Sequence, residues 1–206
     1  MIIEPRHFEY LAIQRGEVSD ERHDFSAWKV AYERSLMRIY ASIRSSLPDR
    51  CASVLDIGSG LGGIDVLLAK HYGRLDVCLL DGLDDEALVH RHAEPFSNRE
   101  VALDFQAKNG NLDVTYCWPV PPPRTFDLIV SFAAWCFHIE PARYIDAVKA
   151  AMHSSTTLIL DVRSRTDWHD QLRAAFGRPV ILHQEQKYFR MAFNCAQQSL
   201  SQAAGA

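Results

Sequence analysis

The stretch Val54 to Gly63, VLDIGSGLGG, constrains this chain more than any other. An apolar run that reads as a strand is followed at once by four glycines interleaved with Ser59 and Leu61. Next comes GIDVLLAKHYG, which puts Ile64, Leu67, Leu68 and His71 on one side of a helix that Gly73 ends. Strand, glycine turn and helix form the opening unit of a doubly wound α/β sheet, in which the first turn is a ligand site. Glycine lets the chain turn tightly and lets a ligand approach the backbone, while the helix aims its unpaired N–H groups at that ligand. The turn therefore predicts a site for a nucleotide-like cofactor.

The surrounding pattern agrees. The runs at 53–57, 76–80 and 127–132 are almost continuously apolar, as in parallel strands covered on both faces. LDVCLLDG is a second strand closing on Asp81-Gly82, NLDVTYCW a third, FDLIVSFAAW a fourth and TTLILDVR a fifth. PVILHQEQ and YFRMAFNC read as two more. Between them DEALVHRHAEP, EPARYIDAVKAAM and RTDWHDQLRAAFG have helical character. Ahead of the first strand, FSAWKVAYERSLMRIYASIRSSL repeats its apolar residues at helical spacing, with Ser26 as N-cap and Pro48 beyond its end. At 206 residues the chain suits one domain. Residues 1–50 are expected to form an N-terminal helical cap over the substrate, 51–196 the cofactor-binding domain, and 197–206 a loose tail.

Composition narrows the function. A net charge of −4 argues against a phosphate-backbone binder, which carries a basic face. The five cysteines, at 51, 78, 117, 136 and 195, lack disulfide-framework or zinc-knuckle spacing and read as reduced core residues, which points to a cytoplasmic protein. The N-terminus lacks signal-peptide character. The longest apolar run, Leu128 to Phe137, is broken by Ser131 and falls well short of the roughly 20 residues that span a membrane.

Gly58, Gly60 and Gly63 fit the dinucleotide fingerprint G-x-G-x-x-G, and Gly58, Gly60 and Gly62 fit G-x-G-x-G equally well. Asp56 separates the two. A carboxylate two residues before the first glycine repels a pyrophosphate but suits a cationic aminoacyl group. With that residue in place, LDIGSGLGG resembles the first motif of class I S-adenosylmethionine-dependent methyltransferases. The resemblance runs from Val54 into the C-terminal strand pair and includes Asp81 and FDLIVSFAAWCFHIEP; it leaves the N-terminal 50 residues uncovered. It implies a Rossmann-like, mostly parallel seven-stranded sheet with a C-terminal antiparallel hairpin.

It also implies roles residue by residue. Asp56, Gly58, Ser59, Gly60 and Gly62 match the motif that holds the methionine part of S-adenosylmethionine. Asp81, with Gly82 beside it, matches the acid that accepts hydrogen bonds from the ribose hydroxyls. Many family members place an aspartate after the third strand near the adenine; here VTYCWPVPPP has none, and Tyr116, Cys117 or Trp118 is left to cover that face. Ser131, Phe132 and Ala133 are expected near the transferable methyl.

His138, in WCFHIEP, is the candidate general base; the alternative is a helix-capping or packing residue. The donor is reactive enough for alignment alone to suffice. No metal set stands out, because His90 and His92 fall two apart on a helix and point apart. Asp161 and Asp167, near the fifth strand, are candidates to assist a metal or bind substrate, although acidic loop residues are common. The N-terminal segment offers Tyr10, Gln14, Arg22, His23, Trp28 and Tyr32, a mixture suited to a small polar or sugar-like acceptor and suited to packing too. SFAA stands where amino-methylating nucleic-acid enzymes of the resembling group carry an N-P-P-Tyr-type tetrapeptide, which places nucleic acid below small molecules. The expected activity is therefore methyl transfer to an oxygen or nitrogen of a small molecule, releasing S-adenosylhomocysteine. An NAD(P)-dependent oxidoreductase and a catalytically inactive binding subunit are the alternatives.

Overall fold

A computed structural model describes residues 1–8, 25–82 and 98–194. In chain order the elements are α1 (Phe25–Ile43), β1 (Ser53–Ile57), α2 (Gly63–Tyr72), β2 (Asp76–Leu80), α3 (Arg99–Lys108), β3 (Val114–Cys117), β4 (Phe126–Ser131) and β5 (Ala134–Ile139). They continue with α4 (Ile145–Ala150), β6 (Met152–Arg163), α5 (Trp168–Phe176), β7 (Val180–Gln184) and β8 (Tyr188–Asn194).

Seven strands form one sheet in the order β3-β2-β1-β4-β6-β8-β7. The β1–β2, β1–β4, β2–β3 and β4–β6 pairs are parallel, whereas β8 runs antiparallel to both β6 and β7. This is the mostly parallel sheet with a terminal antiparallel hairpin that the sequence led us to expect. The winding reverses between β1 and β4, so the carboxyl ends of those two strands open a crevice.

The apolar strands are buried on both faces because successive side chains point to opposite sides. Leu55, Ile57, Cys78, Leu80 and Ile129 enter one core with Trp135, Val148, Leu172 and Phe176. Their neighbours Val54, Val77, Leu79, Leu128 and Val130 enter a second core with Ile43, Ile64, Leu68 and Ala102. Helix α1 is thus built into the domain through Ile43, and Tyr40 Oη lies 2.7 Å from His71 Nδ1 on α2.

Several elements depart from the sequence expectation. The fourth strand ends at Ser131 rather than running to Trp135. Ala133 takes a left-handed φ of 54°, and β5 starts after it. The helix expected over 140–152 is a 3₁₀ turn, Pro141–Arg143, followed by the short α4. The fifth long strand begins at Met152, ahead of the expected start. Helix α3 was not read from the sequence at all; Asn98 caps it, its side-chain oxygen accepting from the Val101 N–H. The helix expected in DEALVHRHAEP, His90 and His92, the N-terminal candidates Tyr10, Gln14, Arg22 and His23, Cys195 and the tail lie outside the described residues.

Candidate cofactor and methyl-transfer site

The carboxyl end of β1 flows directly into the glycine turn. Asp56 is the penultimate residue of β1 and is buried. The Gly58 N–H donates to the Leu80 carbonyl at 2.7 Å, which carries the β1–β2 link past the end of both strands. Gly58 has φ +72°, and a Cβ there would lie 2.1 Å from the Ala134 side chain, so both conformation and space exclude any larger residue. Gly62, at φ +69°, turns the chain into α2; its N–H donates to Ser59 O at 2.8 Å, and its carbonyl accepts from the Asp65 N–H at 3.1 Å.

Asp81 closes the site from β2. Its Oδ2 accepts from the Gly60 N–H at 2.6 Å and its Oδ1 from the Gly82 N–H at 2.8 Å. Burial, partly opposed by those two amides, leaves its carboxyl pushed up to about 6. Trp118 stacks over Gly82, whose Cβ, if present, would lie 3.0 Å from the indole. Trp118, Gly82 and Asp81 thus share one wall at the ends of β2 and β3.

The glycine turn is held from behind by a residue that sequence reasoning missed. Gln106 of α3 is buried, and its Nε2 donates to both Leu61 O and Gly62 O at 2.7 Å. Asn111 Nδ2 in turn donates to Gln106 Oε1 at 2.9 Å. Gly63 has a different task from its neighbours, since a Cβ on it would lie 2.2 Å from Tyr32 Oη and 2.6 Å from Leu36 Cδ1. It lets α1 dock against α2. This favours G-x-G-x-G over G-x-G-x-x-G as the reading of the turn.

The electrostatics of the turn are one-sided. Asp56 and Asp65 are buried and meet each other, while Asp81 lies close enough to raise Asp56 further. Desolvation, then the neighbouring carboxyls, hold Asp56 well above the ordinary carboxylate range; desolvation pushes Asp65 up to about 7. No lysine, arginine or histidine pairs with these three among the described residues. Ser59 Oγ is buried without a hydrogen-bond partner among the described residues. Acceptors lacking a cation, and an orphaned hydroxyl beside them, fit a ligand that brings a positive charge and further polar groups, such as the aminoacyl end of S-adenosylmethionine.

The exit of β4 forms the opposite wall. Ser131 Oγ donates to Ile57 O at 2.7 Å and accepts from the Trp135 N–H at 3.0 Å, which ties β4 to β1. The Phe132 ring lies 4.9 Å from the Arg190 guanidinium carbon. Arg190 is buried and paired in a fork with Asp161, at 2.7 and 2.8 Å, while its third nitrogen donates to Ser42 Oγ on α1 at 2.7 Å. Asp161 also accepts from the Ala133 N–H. Asp161 is therefore a structural partner on β6 that fixes the β4–β5 turn. Asp167 immediately precedes α5 and is exposed, its Oδ2 accepting from Gln171 Nε2 at 3.1 Å.

His138 lies on β5, not at a helix end, with its ring exposed and 4.7 Å from that of Phe137. Partial desolvation and the Arg163 guanidinium both lower its pKa, so the ring is neutral near pH 7. The described cysteines, at 51, 78, 117 and 136, are free thiols; Cys78 and Cys117 face each other with sulfurs 3.0 Å apart across β2 and β3, a proximity their sequence spacing does not announce.

No family model matches the chain, and no curated protein matches it. Solved structures do match in fold. StiE O-MT residues 961–1257 superpose with a TM-score of 0.60 at 13% identity, covering 93% of this chain and 87% of that one. A 16S rRNA methyltransferase from T. thermophilus, in complex with AdoMet and guanosine, gives 0.57 at 14% identity over 85% of this chain and 44% of its own. A methyltransferase from Pyrococcus furiosus gives 0.55 at 13% identity, covering 78% of this chain and 82% of that one. The chain has the class I methyltransferase fold. Its glycine turn and Asp81 stand at the switch point of that fold, and no helix among the described residues is long and apolar enough to cross a membrane.

Proposed function

We propose that the chain is an S-adenosylmethionine-dependent methyltransferase acting on an oxygen or nitrogen of a small molecule in the cytoplasm. The observation that carries this reading is the glycine turn bound to Asp81, with Asp56 buried beneath it among carboxyl groups and, among the described residues, no cation. A pyrophosphate placed there finds no cation among the described residues to offset its charge, whereas a cationic aminoacyl group favours ionisation of the carboxyls it meets, so S-adenosylmethionine is favoured over NAD.

In this reading Asp56, Gly58, Ser59, Gly60 and Gly62 hold the methionine part, Asp81 and Gly82 the ribose, and Trp118 the adenine. Ser131 and Phe132 border the reacting centre. The cofactor supplies a methyl group already activated on sulfonium. The protein's task is to orient the acceptor along that bond and keep water out. Neutral His138 accepts the proton of an acceptor hydroxyl or amine. The segment ahead of β1 serves as the cap over the acceptor, with α1 anchored through Ser42 and Tyr40.

The acidic net charge favours small molecules over nucleic acid, although one structure of the same fold is an rRNA methyltransferase. The test is transfer of labelled methyl from S-adenosylmethionine to panels of small hydroxylated compounds, small amines and total RNA. Label in a small-molecule panel alone is the expected result. Label in RNA alone would reject the acceptor class, and label nowhere despite cofactor binding would favour a binding subunit.

A further inference from the structure

Asp65 is not explained by the glycine motif. It stands in the first turn of α2, where an acidic residue is ordinarily solvated and simply faces the helix N-terminus. Here the side chain is fully buried, and neither carboxyl oxygen has a donor from the surrounding protein. The polar group that meets it is the carboxyl of Asp56, itself buried on β1. Two carboxyl groups in contact away from water do not both ionise; they hold a proton between them.

The groups facing this pair supply no compensating charge. Strand β2 contributes Asp81, a third acid. Helix α3 contributes the neutral Gln106 amide, spent on the Leu61 and Gly62 carbonyls. Helix α1 brings Tyr32 and Leu36 against Gly63. Cys51, ahead of β1, is a neutral thiol whose pKa burial pushes up to about 12. A buried acidic pair with no cation of its own is set to receive one from a ligand.

We propose that Asp56 and Asp65 form a proton-sharing carboxyl pair that takes the ammonium of the cofactor's aminoacyl group and releases its proton as that cation binds. The inference rests on the cofactor reading above. One O–H bond breaks and the proton leaves to solvent; the ammonium replaces it as hydrogen-bond donor. Asp65 is a positioning residue of the aminoacyl site, and cofactor affinity is linked to pH through it.

The test is calorimetry on the full chain between pH 5.5 and 8, in two buffers of different ionisation enthalpy. The ligands are S-adenosylhomocysteine and 5′-methylthioadenosine, which lacks the aminoacyl group but keeps the ribose and adenine. S-Adenosylhomocysteine should gain affinity with rising pH, up to about tenfold per unit, and release up to one proton per molecule bound. Methylthioadenosine should release none beyond what Asp81 and the ribose contribute to both ligands. Asp65→Asn should flatten the pH profile for S-adenosylhomocysteine and weaken it about tenfold or more at pH 8, with methylthioadenosine unaffected. Equal proton release for both ligands overturns the carboxyl pair while the cofactor reading stands. Binding of neither ligand overturns both. If Asp65→Asn does not fold, the two-ligand comparison on the unaltered chain decides.

Discussion

The Gly60 N–H donates to Asp81 Oδ2 at 2.6 Å, and this bond joins the turn after β1 to the acid after β2. The two parts of the candidate cofactor site are therefore mechanically one unit. A ligand that bonds to Asp81 also senses the position of the glycine turn.

Removing that acid separates binding from folding. Asp81→Ala should weaken S-adenosylhomocysteine by about 1.5–3 kcal/mol, the scale of hydrogen bonds to a charged group. The fold should survive, because the residue lies at the sheet's rim rather than in either core. Calorimetry alongside far-UV circular dichroism reads both. Undiminished affinity in a folded variant would show that the ribose lies elsewhere.

Gly63 offers a contrast with the glycines before it. Gly63→Ala drives a methyl group into Tyr32 and Leu36, and should cost about 1–3 kcal/mol of stability by overpacking the α1–α2 contact. Its folded fraction should keep its cofactor affinity. Urea unfolding with and without S-adenosylhomocysteine measures both quantities, and a specific loss of affinity would restore the dinucleotide reading of the turn.

Asp65 makes stability depend on pH. Its folded pKa, about 7, lies above its ordinary value of 3.8, so the unfolded chain gives up this proton first. The contribution is fully present below about pH 4 and is lost as pH rises to about 7. Asp65→Asn should therefore raise stability at pH 8 by about 2–4 kcal/mol and leave it unchanged near pH 3.5. Denaturant titrations at the two pH values check this, and an equal effect at both would contradict it.

The Arg190–Asp161 pair predicts the opposite behaviour. Arg190→Met leaves the Asp161 carboxyl buried without its fork and should cost about 3–5 kcal/mol. Adding Asp161→Asn should recover part of that loss, because the stranded charge is gone. Chemical unfolding of the single and double variants measures the coupling.

His138→Ala should lower turnover by about 10²–10⁴-fold with cofactor affinity intact, if the ring accepts the acceptor's proton. Because desolvation and Arg163 lower its pKa, the parent rate should fall with decreasing pH, with its midpoint below that of an ordinary histidine. Parent-like turnover and an unchanged pH profile in the variant would leave alignment as the whole mechanism.

The sheet and the glycine turn were legible because both are written locally. Continuous apolar runs announce strands covered on two faces, and glycines mark the turn between β1 and α2. Helix α3 carried a readable signal, with Asn98 as cap and Val101, Ala102 and Phe105 at helical spacing, but its mostly polar surface hid it. The break between β4 and β5 was not readable, since Phe126 to Phe137 is largely apolar and the left-handed Ala133 that divides the strands carries no mark in the sequence. Gln106 reaches carbonyls more than forty positions away, and no local pattern encodes such a reach. Asp65 carries no mark of burial in the sequence; its burial comes from the elements that close around it.

The most direct test of the cofactor assignment is thermal or chemical unfolding of the full chain with saturating S-adenosylhomocysteine and, separately, saturating NAD. At 100 times its dissociation constant S-adenosylhomocysteine should add about 2.7 kcal/mol to stability, and NAD should add nothing. Stabilisation by NAD with no effect of S-adenosylhomocysteine would contradict the account and make the glycine turn a dinucleotide site.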